Sequence, residues 1–301
     1  MYQPVLNVLD LEKTYSGRHG SKANDGISIR VGSGEVVGLL GHNGAGKTTL
    51  VNQIVGILKP DGGVIEVSGH DVISKPQIAR RLVSVQAQAN VPITGLSPRK
   101  AIELVGRIRG LSKQDASTRA VELLTALEME QWADKPAQAI SGGVARLTAF
   151  GMATAAPGEL VILDEPTNDV DPVRRKLLWA EIRRLADSGV GVLLVTHNVA
   201  EAEHVVDSLV ILDHGKVIAQ GTPAELSAST RGELSLTISG LRTEPDEQMN
   251  IVSRNESGIV VRVRDCDAPA AIAWASDHAE RFSLAPTTLE DIYISLVKEA
   301  A

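Results

Sequence analysis

Residues Gly41-His42-Asn43-Gly44-Ala45-Gly46-Lys47-Thr48 fit the pattern G-x-x-x-x-G-K-[ST]. No other feature restricts the possible folds as much. The apolar run Val36 to Leu40 precedes the octet, and a helical pattern from Lys47 to Leu58 follows. Strand, glycine-rich loop and helix in that order make a phosphate cradle. The glycines let the backbone turn tightly with its N–H groups facing inward. The helix N-terminus adds positive potential. Lys47 is expected on the β- and γ-phosphates of a nucleotide. A charge pair about 4 Å apart near a protein surface has a Coulomb energy of roughly 4 kcal/mol. Thr48 is expected to offer its hydroxyl to Mg2+. His42 and Asn43 read as loop filler. The spacing is not G-x-G-x-x-G, which argues against a Rossmann dinucleotide site.

A second motif narrows the chemistry. Leu160-Val161-Ile162-Leu163-Asp164-Glu165 is an apolar run ending in two acids. Asp164 is placed to hold the hydration shell of Mg2+, and Glu165 to polarise an attacking water. Further short apolar runs lie at Val36 to Leu40, Gly191 to Val195 and Ser208 to Leu212. Strands buried on both faces of a parallel sheet have this character. Helical patterns, such as Pro172 to Ser188, alternate with them and predict an α/β sandwich. Near Leu226 the pattern changes, and Ser227 to Glu233 is small and polar, like a linker. The predicted domains are therefore 1–226 and 227–301. The second reads as a small α+β unit: strands at Glu233 to Ser239, Ile259 to Arg264 and Arg281 to Leu284, with helices at Ala268 to Asp277 and Thr287 to Lys298.

Taken with three more motifs, these resemble the ATP-binding subunit of ABC transporters. Ile140-Ser141-Gly142-Gly143-Val144 looks like the signature LSGGQ, with Ser141 lying 23 residues before Asp164. Thr167-Asn168-Asp169-Val170-Asp171-Pro172 looks like the D-loop, and Val195-Thr196-His197 like the switch histidine. Gln88 is similar to the Q-loop glutamine, preferred over Gln86 for its spacing to Ser97. Tyr15, 26 residues before Gly41, is placed like the aromatic that stacks on adenine. The resemblance covers residues 1 to about 226 and implies a P-loop NTPase with a mixed sheet and a helical signature subdomain.

The resemblance also implies the chemistry. ATP would contact Tyr15, Gly41, Asn43, Gly44, Ala45, Gly46, Lys47, Thr48 and Thr49, with Mg2+ at Thr48, Gln88 and Asp164. Glu165, His197 and Gln88 would be catalytic. Ser141, Gly142 and Gly143 would reach the γ-phosphate of a second ATP-binding subunit, and Asp171 would belong to the D-loop contact. The signature glutamine is Val144 here, so a side-chain hydrogen bond of roughly 1.5–3 kcal/mol across the dimer is expected to be missing. Slower or retuned hydrolysis is the expected result. The ending Pro286-Thr287-Thr288-Leu289-Glu290-Asp291-Ile292-Tyr293 resembles that of ABC-2-type exporter ATPases of the daunorubicin-resistance kind. The competing reading is an ordinary amphipathic helix, with Leu289, Ile292, Tyr293 and Leu296 at helical spacing and Thr287 or Thr288 as a cap. The implied partners are a second ATP-binding subunit and an integral-membrane permease.

Composition sets the remaining bounds. The chain has 301 residues and a net charge of −7, with 7 basic and 12 acidic residues from Arg231 onward. This balance argues against a nucleic-acid partner. Its one cysteine, Cys266, excludes an intrachain disulfide framework. The N-terminus lacks the basic and apolar segments of a secretory signal, and no apolar run reaches the roughly 18 residues of a membrane span. A cytoplasmic chain, held at the membrane only through a permease, is expected. The alternatives are a soluble ABC ATPase without a permease, a slow regulatory ABC protein, and a P-loop kinase or GTPase. Only 52 residues separate Gln88 from Ser141, too few for the long coiled coil of chromosome-type relatives. A kinase leaves Ser141, Asp171 and His197 unexplained.

Overall fold

The computed structural model describes residues 4–15, 21–88, 93, 95–230, 232–243, 249–255 and 258–300. Two strands without a clear apolar signal come first, β1 (Leu6–Tyr15) and β2 (Ser21–Val31). They pair antiparallel, Leu6 opposite Val31 and Val8 opposite Ile29. The ladder shifts register between Val8 and Leu11, where Asp10 takes a positive φ of 46°. That bulge breaks the two-residue alternation by which such a strand is recognised. With β4 (Gly62–Val67) and β5 (His70–Asp71) they form a sheet of order β2-β1-β4-β5.

The second sheet contains the expected apolar runs. Its strands are β3 (Val36–Leu40), β6 (Val83–Gln86), β7 (Leu160–Asp164), β8 (Gly191–Thr196), β9 (Ser208–Asp213) and β10 (Lys216–Gly221), in the order β10-β9-β3-β8-β7-β6. From β9 to β6 every pairing is parallel. All residues of β3, β7 and β8 are buried, so neither face needs a polar residue. One apolar core joins the two sheets: Leu6, Val8 and Ile65 from the first, Leu39, Ile162 and Leu193 from the second. Leu50 and Ile54 of α1 (Lys47–Ile54) pack into it. This helix is shorter than the Lys47 to Leu58 pattern, because the chain turns at Gly56 with a φ of 72°.

Helix α2 (Pro76–Leu82) leads into β6. Between β6 and β7 lie α3 (Pro98–Ile108), α4 (Lys113–Ala126) and α5 (Gly142–Thr154), the expected helical subdomain. Serines Ser97, Ser112 and Ser141 cap the three by accepting a backbone N–H from the first turn. Helix α6 (Pro172–Asp187) leads to β8 and buries Leu178, Ile182 and Leu185.

The chain divides into two compact units, residues 1–198 with 205–217, and residues 199–204 with 218–301. The second contains α7 (Val199–Ala202), α8 (Pro223–Leu226), an antiparallel sheet and two longer helices. Its strands β11 (Glu233–Leu241), β12 (Asn250–Asn255), β13 (Gly258–Arg264) and β14 (Ala279–Pro286) run in the order β12-β13-β11-β14. Leu236, Ile238, Ile259 and Val261 pack there against Ala275 of α9 (Ala268–His278). Ahead of α10 (Leu289–Ala300), the Thr288 Oγ1 accepts from Asp291 N and the Asp291 carboxylate accepts from Thr288 N. That is a helix cap with a purely structural cause. Among the described residues no helix is long and apolar enough to cross a membrane.

Candidate nucleotide site

The glycine loop connects the end of β3 to the start of α1. Gly46, just before the helix, has a φ of 106°. A side chain there would also run into the carbonyl of Ala23. Only glycine meets both conditions. The same Gly46 carbonyl accepts a hydrogen bond at 3.2 Å from Asn24 Nδ2, a fully buried amide on β2. Lys47 is nearly buried, and its ammonium lies back across its own loop, donating to the carbonyls of Gly41 at 2.5 Å and His42 at 3.1 Å. Burial lowers its pKa, and the charges of Glu165 and Asp164 partly oppose that.

Strand β7 delivers the two acids. Asp164 is 7% exposed, and burial, reinforced by the charge of Glu165, raises its carboxyl pKa to about 6. Lys47 and Arg146 pull it the other way. Glu165 follows the strand in a left-handed conformation, φ 51°. Its carboxylate accepts three hydrogen bonds from the end of β8: Thr196 Oγ1 at 3.0 Å, His197 N at 3.0 Å and His197 Nδ1 at 2.6 Å. The His197 side chain is otherwise 61% exposed.

Asn43, Gly44, Gly46, Lys47, Thr48, Thr49, Gln88, Asp164 and Glu165 line one pocket of ≈ 170 Å³, with Ala23. Gly41 and Ala45 are buried parts of the same loop. Gln88 thus reaches the loop and Gln86 does not. Strand β6 ends at Gln86, which is buried and donates its amide to Arg146 O at 3.2 Å. The next two carbonyls leave the ladder and accept from the Arg146 guanidinium instead, Ala87 O at 3.1 Å and Gln88 O at 2.8 Å. The segment just after Gln88 lies outside the described residues. Tyr15, 46% exposed, puts its hydroxyl 3.4 Å from Thr49 Oγ1 on the flank of α1.

The signature residues lie apart from this pocket. Ser141 and Gly142 are exposed at the start of α5, where Ser141 Oγ accepts from Val144 N at 3.3 Å. Gly143 backs onto the Asp169 carbonyl so closely that a methyl group would overlap it. Val144 is 5% exposed and packs inward. The valine side chain therefore presents no donor or acceptor outward. Asp171 caps α6 and also pairs with Arg174 at 3.0 Å. Hydrogen bonds from Arg174, led by its backbone N–H, hold the Asp171 carboxyl below the usual range.

Arg146 and Asn24 make some of the contacts that shape the site, yet neither belongs to a nucleotide-contact motif. Asn24 sits in the polar first half of β2, Ser21-Lys22-Ala23-Asn24-Asp25-Gly26, and no local pattern points to it.

A sequence profile described as "ABC transporter" matches residues 24–168. The chain is 33% identical over 314 residues to the daunorubicin/doxorubicin resistance ATP-binding protein DrrA of Streptomyces peucetius, across 99% of this chain and 93% of that protein. The chain belongs to the ABC transporter ATP-binding family. It is an ATP-binding and ATP-hydrolysing ABC transporter subunit. The Nod factor export ATP-binding protein I of Ralstonia nicotianae is 36% identical, across 74% of this chain and 68% of that protein. Among solved structures, an ATP-binding subunit of an ABC transporter matches with a TM-score of 0.69 and 29% identity, over 75% of this chain and 92% of the other. A dimeric ATP-binding cassette in a post-hydrolysis state shares the fold, with a TM-score of 0.67 and 23% identity over 72% of this chain and 98% of that one.

Proposed function

We propose that this ABC subunit works as one half of an ATP-sandwich dimer that powers an ABC-2-type exporter through a separate membrane permease. One observation carries the reading. The pocket holding Lys47, Gln88, Asp164 and Glu165 includes none of the signature residues, while Ser141 and Gly142 stand exposed at a helix start. A second subunit, facing head to tail, would bring its own Ser141, Gly142 and Gly143 to the γ-phosphate. Lys47 would leave its loop carbonyls for the β- and γ-phosphates, and Tyr15 would stack on the adenine. Thr48, Gln88 and Asp164 supply a hydroxyl, an amide and a carboxylate, hard oxygen donors that suit Mg2+. Bound there, the ion would neutralise charge on the phosphate oxygens. Glu165 would then accept the water's proton, His197 would hold the γ-phosphate, and Asp171 would sit at the subunit contact. The chemistry is positioning and charge stabilisation without a covalent intermediate.

The permease reading rests on a second observation. A groove of ≈ 740 Å³ is lined by apolar residues such as Val51, Ile57, Val85 and Met152, and also by Thr48, Gln88 and Asp164 of the nucleotide pocket. An apolar cytoplasmic segment of a permease seated there would bear directly on Gln88. The export and resistance names of the relatives favour an exporter. The subunit would then lie on the cytoplasmic face, peripheral to the membrane. Residues 1–226 would be the ATP-binding domain and 227–301 an accessory domain.

The test compares purified wild type with Glu165→Gln, by ATPase assay and by size exclusion with and without Mg-ATP. The reading expects turnover in the wild type and, in the variant, a loss of at least a hundredfold with an ATP-dependent dimer. Normal turnover in the variant would remove Glu165 as the base.

A further inference from the structure

Outside the nucleotide pocket, the phosphate loop touches a second set of titratable groups. Asp213 ends β9, and His214 follows in the turn toward β10 with a φ of 43°. His42 of the phosphate loop faces them. Asp213 is 3% exposed, yet its Oδ1 has no hydrogen-bond partner among the described residues. That oxygen lies 2.9 Å from His42 Nε2.

The other side of the His42 ring determines what this contact means. His42 Nδ1 is 2.7 Å from Asn43 O, and a carbonyl oxygen only accepts, so Nδ1 carries a proton. In the neutral ring Nε2 then carries a lone pair, and it lies beside a carboxylate oxygen with which it makes no hydrogen bond. Two acceptors at that distance call for a cation beside them: either a proton or a metal ion. His214 supplies the third group. Its Nε2 is 4.0 Å from Asp213 Oδ2, its ring centroid is 5.2 Å from that of His42, and one ligand atom from each residue falls within 4.8 Å of the others. Ligands on a tetrahedral ion with bonds of 2.0–2.1 Å are about 3.3 Å apart. The His214 side chain is 75% exposed, so a rotamer change is enough to bring it in. A ring N–H donated to a backbone carbonyl is also the usual outer support of a metal-bound histidine.

We propose that His42, Asp213 and His214 form a binding site for a transition-metal ion of the zinc class, clasping the first turn of the phosphate loop to the β9–β10 turn. Two imidazoles and one carboxylate select such an ion over Mg2+, and a water completes the fourth position. The clasp acts on the nucleotide pocket through one bond: His42 O is one of the two carbonyls that hold Lys47.

The experiment is calorimetric titration of the tag-free, full-length chain with zinc chloride in excess Mg2+, followed by Co2+ substitution read by visible absorption. One zinc per chain is expected, with binding weakened at least tenfold in His214→Ala and in His42→Ala. His70→Ala is expected to bind as the wild type does. Co2+ should give the intense bands of a four- or five-coordinate site in the wild type and lose them in His214→Ala. His214 is exposed, so its variant keeps the fold. Zinc binding unchanged by His214→Ala and by Asp213→Asn, or lost instead in His197→Ala, overturns the proposal. No binding at tens of micromolar zinc also overturns it, and leaves His42 and Asp213 bridged by a proton alone.

Discussion

Replacing Arg146 by alanine would cut the tie between the signature helix and the segment carrying Gln88. The guanidinium donates to Ala87 O at 3.1 Å and Gln88 O at 2.8 Å, and its own residue carbonyl holds Gln86. A hydrogen bond from a charged group is worth about 1.5–3 kcal/mol. Residues Ala87 and Gln88 are exposed, so water satisfies their carbonyls once the arginine is gone. The loss then falls near the lower end, about 2–3 kcal/mol in all. A unit of about 200 residues loses roughly 2–4 °C per kcal/mol. The variant should melt about 4–12 °C below wild type by calorimetry. Its kcat should fall more than its KM for ATP rises, since Lys47 and its loop are untouched while Gln88 is released. Arg146→Lys keeps the charge but spans only one carbonyl, and should recover part of both losses. A variant melting within 1–2 °C of wild type with wild-type kcat would refute the idea that Arg146 positions Gln88.

Three further outcomes are expected. Val144→Gln would bury an amide where the helix packs inward, costing about 1–3 kcal/mol. Its melting point should drop with no gain in ATPase rate, and faster hydrolysis at unchanged stability would show that the position faces a partner. Tyr15→Ala should weaken ATP binding by about tenfold, since stacking on a base is worth about 1–3 kcal/mol, while the melting point holds. Equal affinity in an equilibrium ATP-analogue titration would remove Tyr15 from the site. Gly46→Ala should abolish nucleotide binding, because its methyl group meets the Ala23 carbonyl at a positive φ. Retained binding would mean the loop re-forms another way.

The parallel strands β3, β7 and β8 were legible because both faces are buried and every residue before the terminal Asp164 and Thr196 is apolar or glycine. The antiparallel sheet was not. Its β1 has one covered face and a bulge at Asp10, so the alternation resets midway. Strand β12, Asn250–Asn255, has too few apolar residues to announce itself. At the site, motif spacing singled out Lys47, Asp164 and Glu165, and the three line one pocket because Lys47 follows the loop after β3 and the two acids stand at the end of β7. Spacing to Ser97 also favoured Gln88 over Gln86. The strand ends at Gln86 because a guanidinium from α5, distant in sequence, captures the next two carbonyls. The burial of Val144 was equally hidden, since helix position alone did not reveal which face of α5 turns inward.

The three hydrogen bonds on Glu165 bear on how little fuel an idle transporter wastes. An oxygen pair already holding Thr196 and His197 has three of its roughly four acceptor positions taken, which leaves little room for a water. On the proposed roles, His197 would have to swing away before that carboxylate met the attacking water, and the γ-phosphate would compete for the ring. A subunit that bound ATP without engaging the histidine would then keep its brake on. Futile turnover in the absence of cargo would be limited by one imidazole, and its leak rate should track how firmly that ring holds the carboxylate.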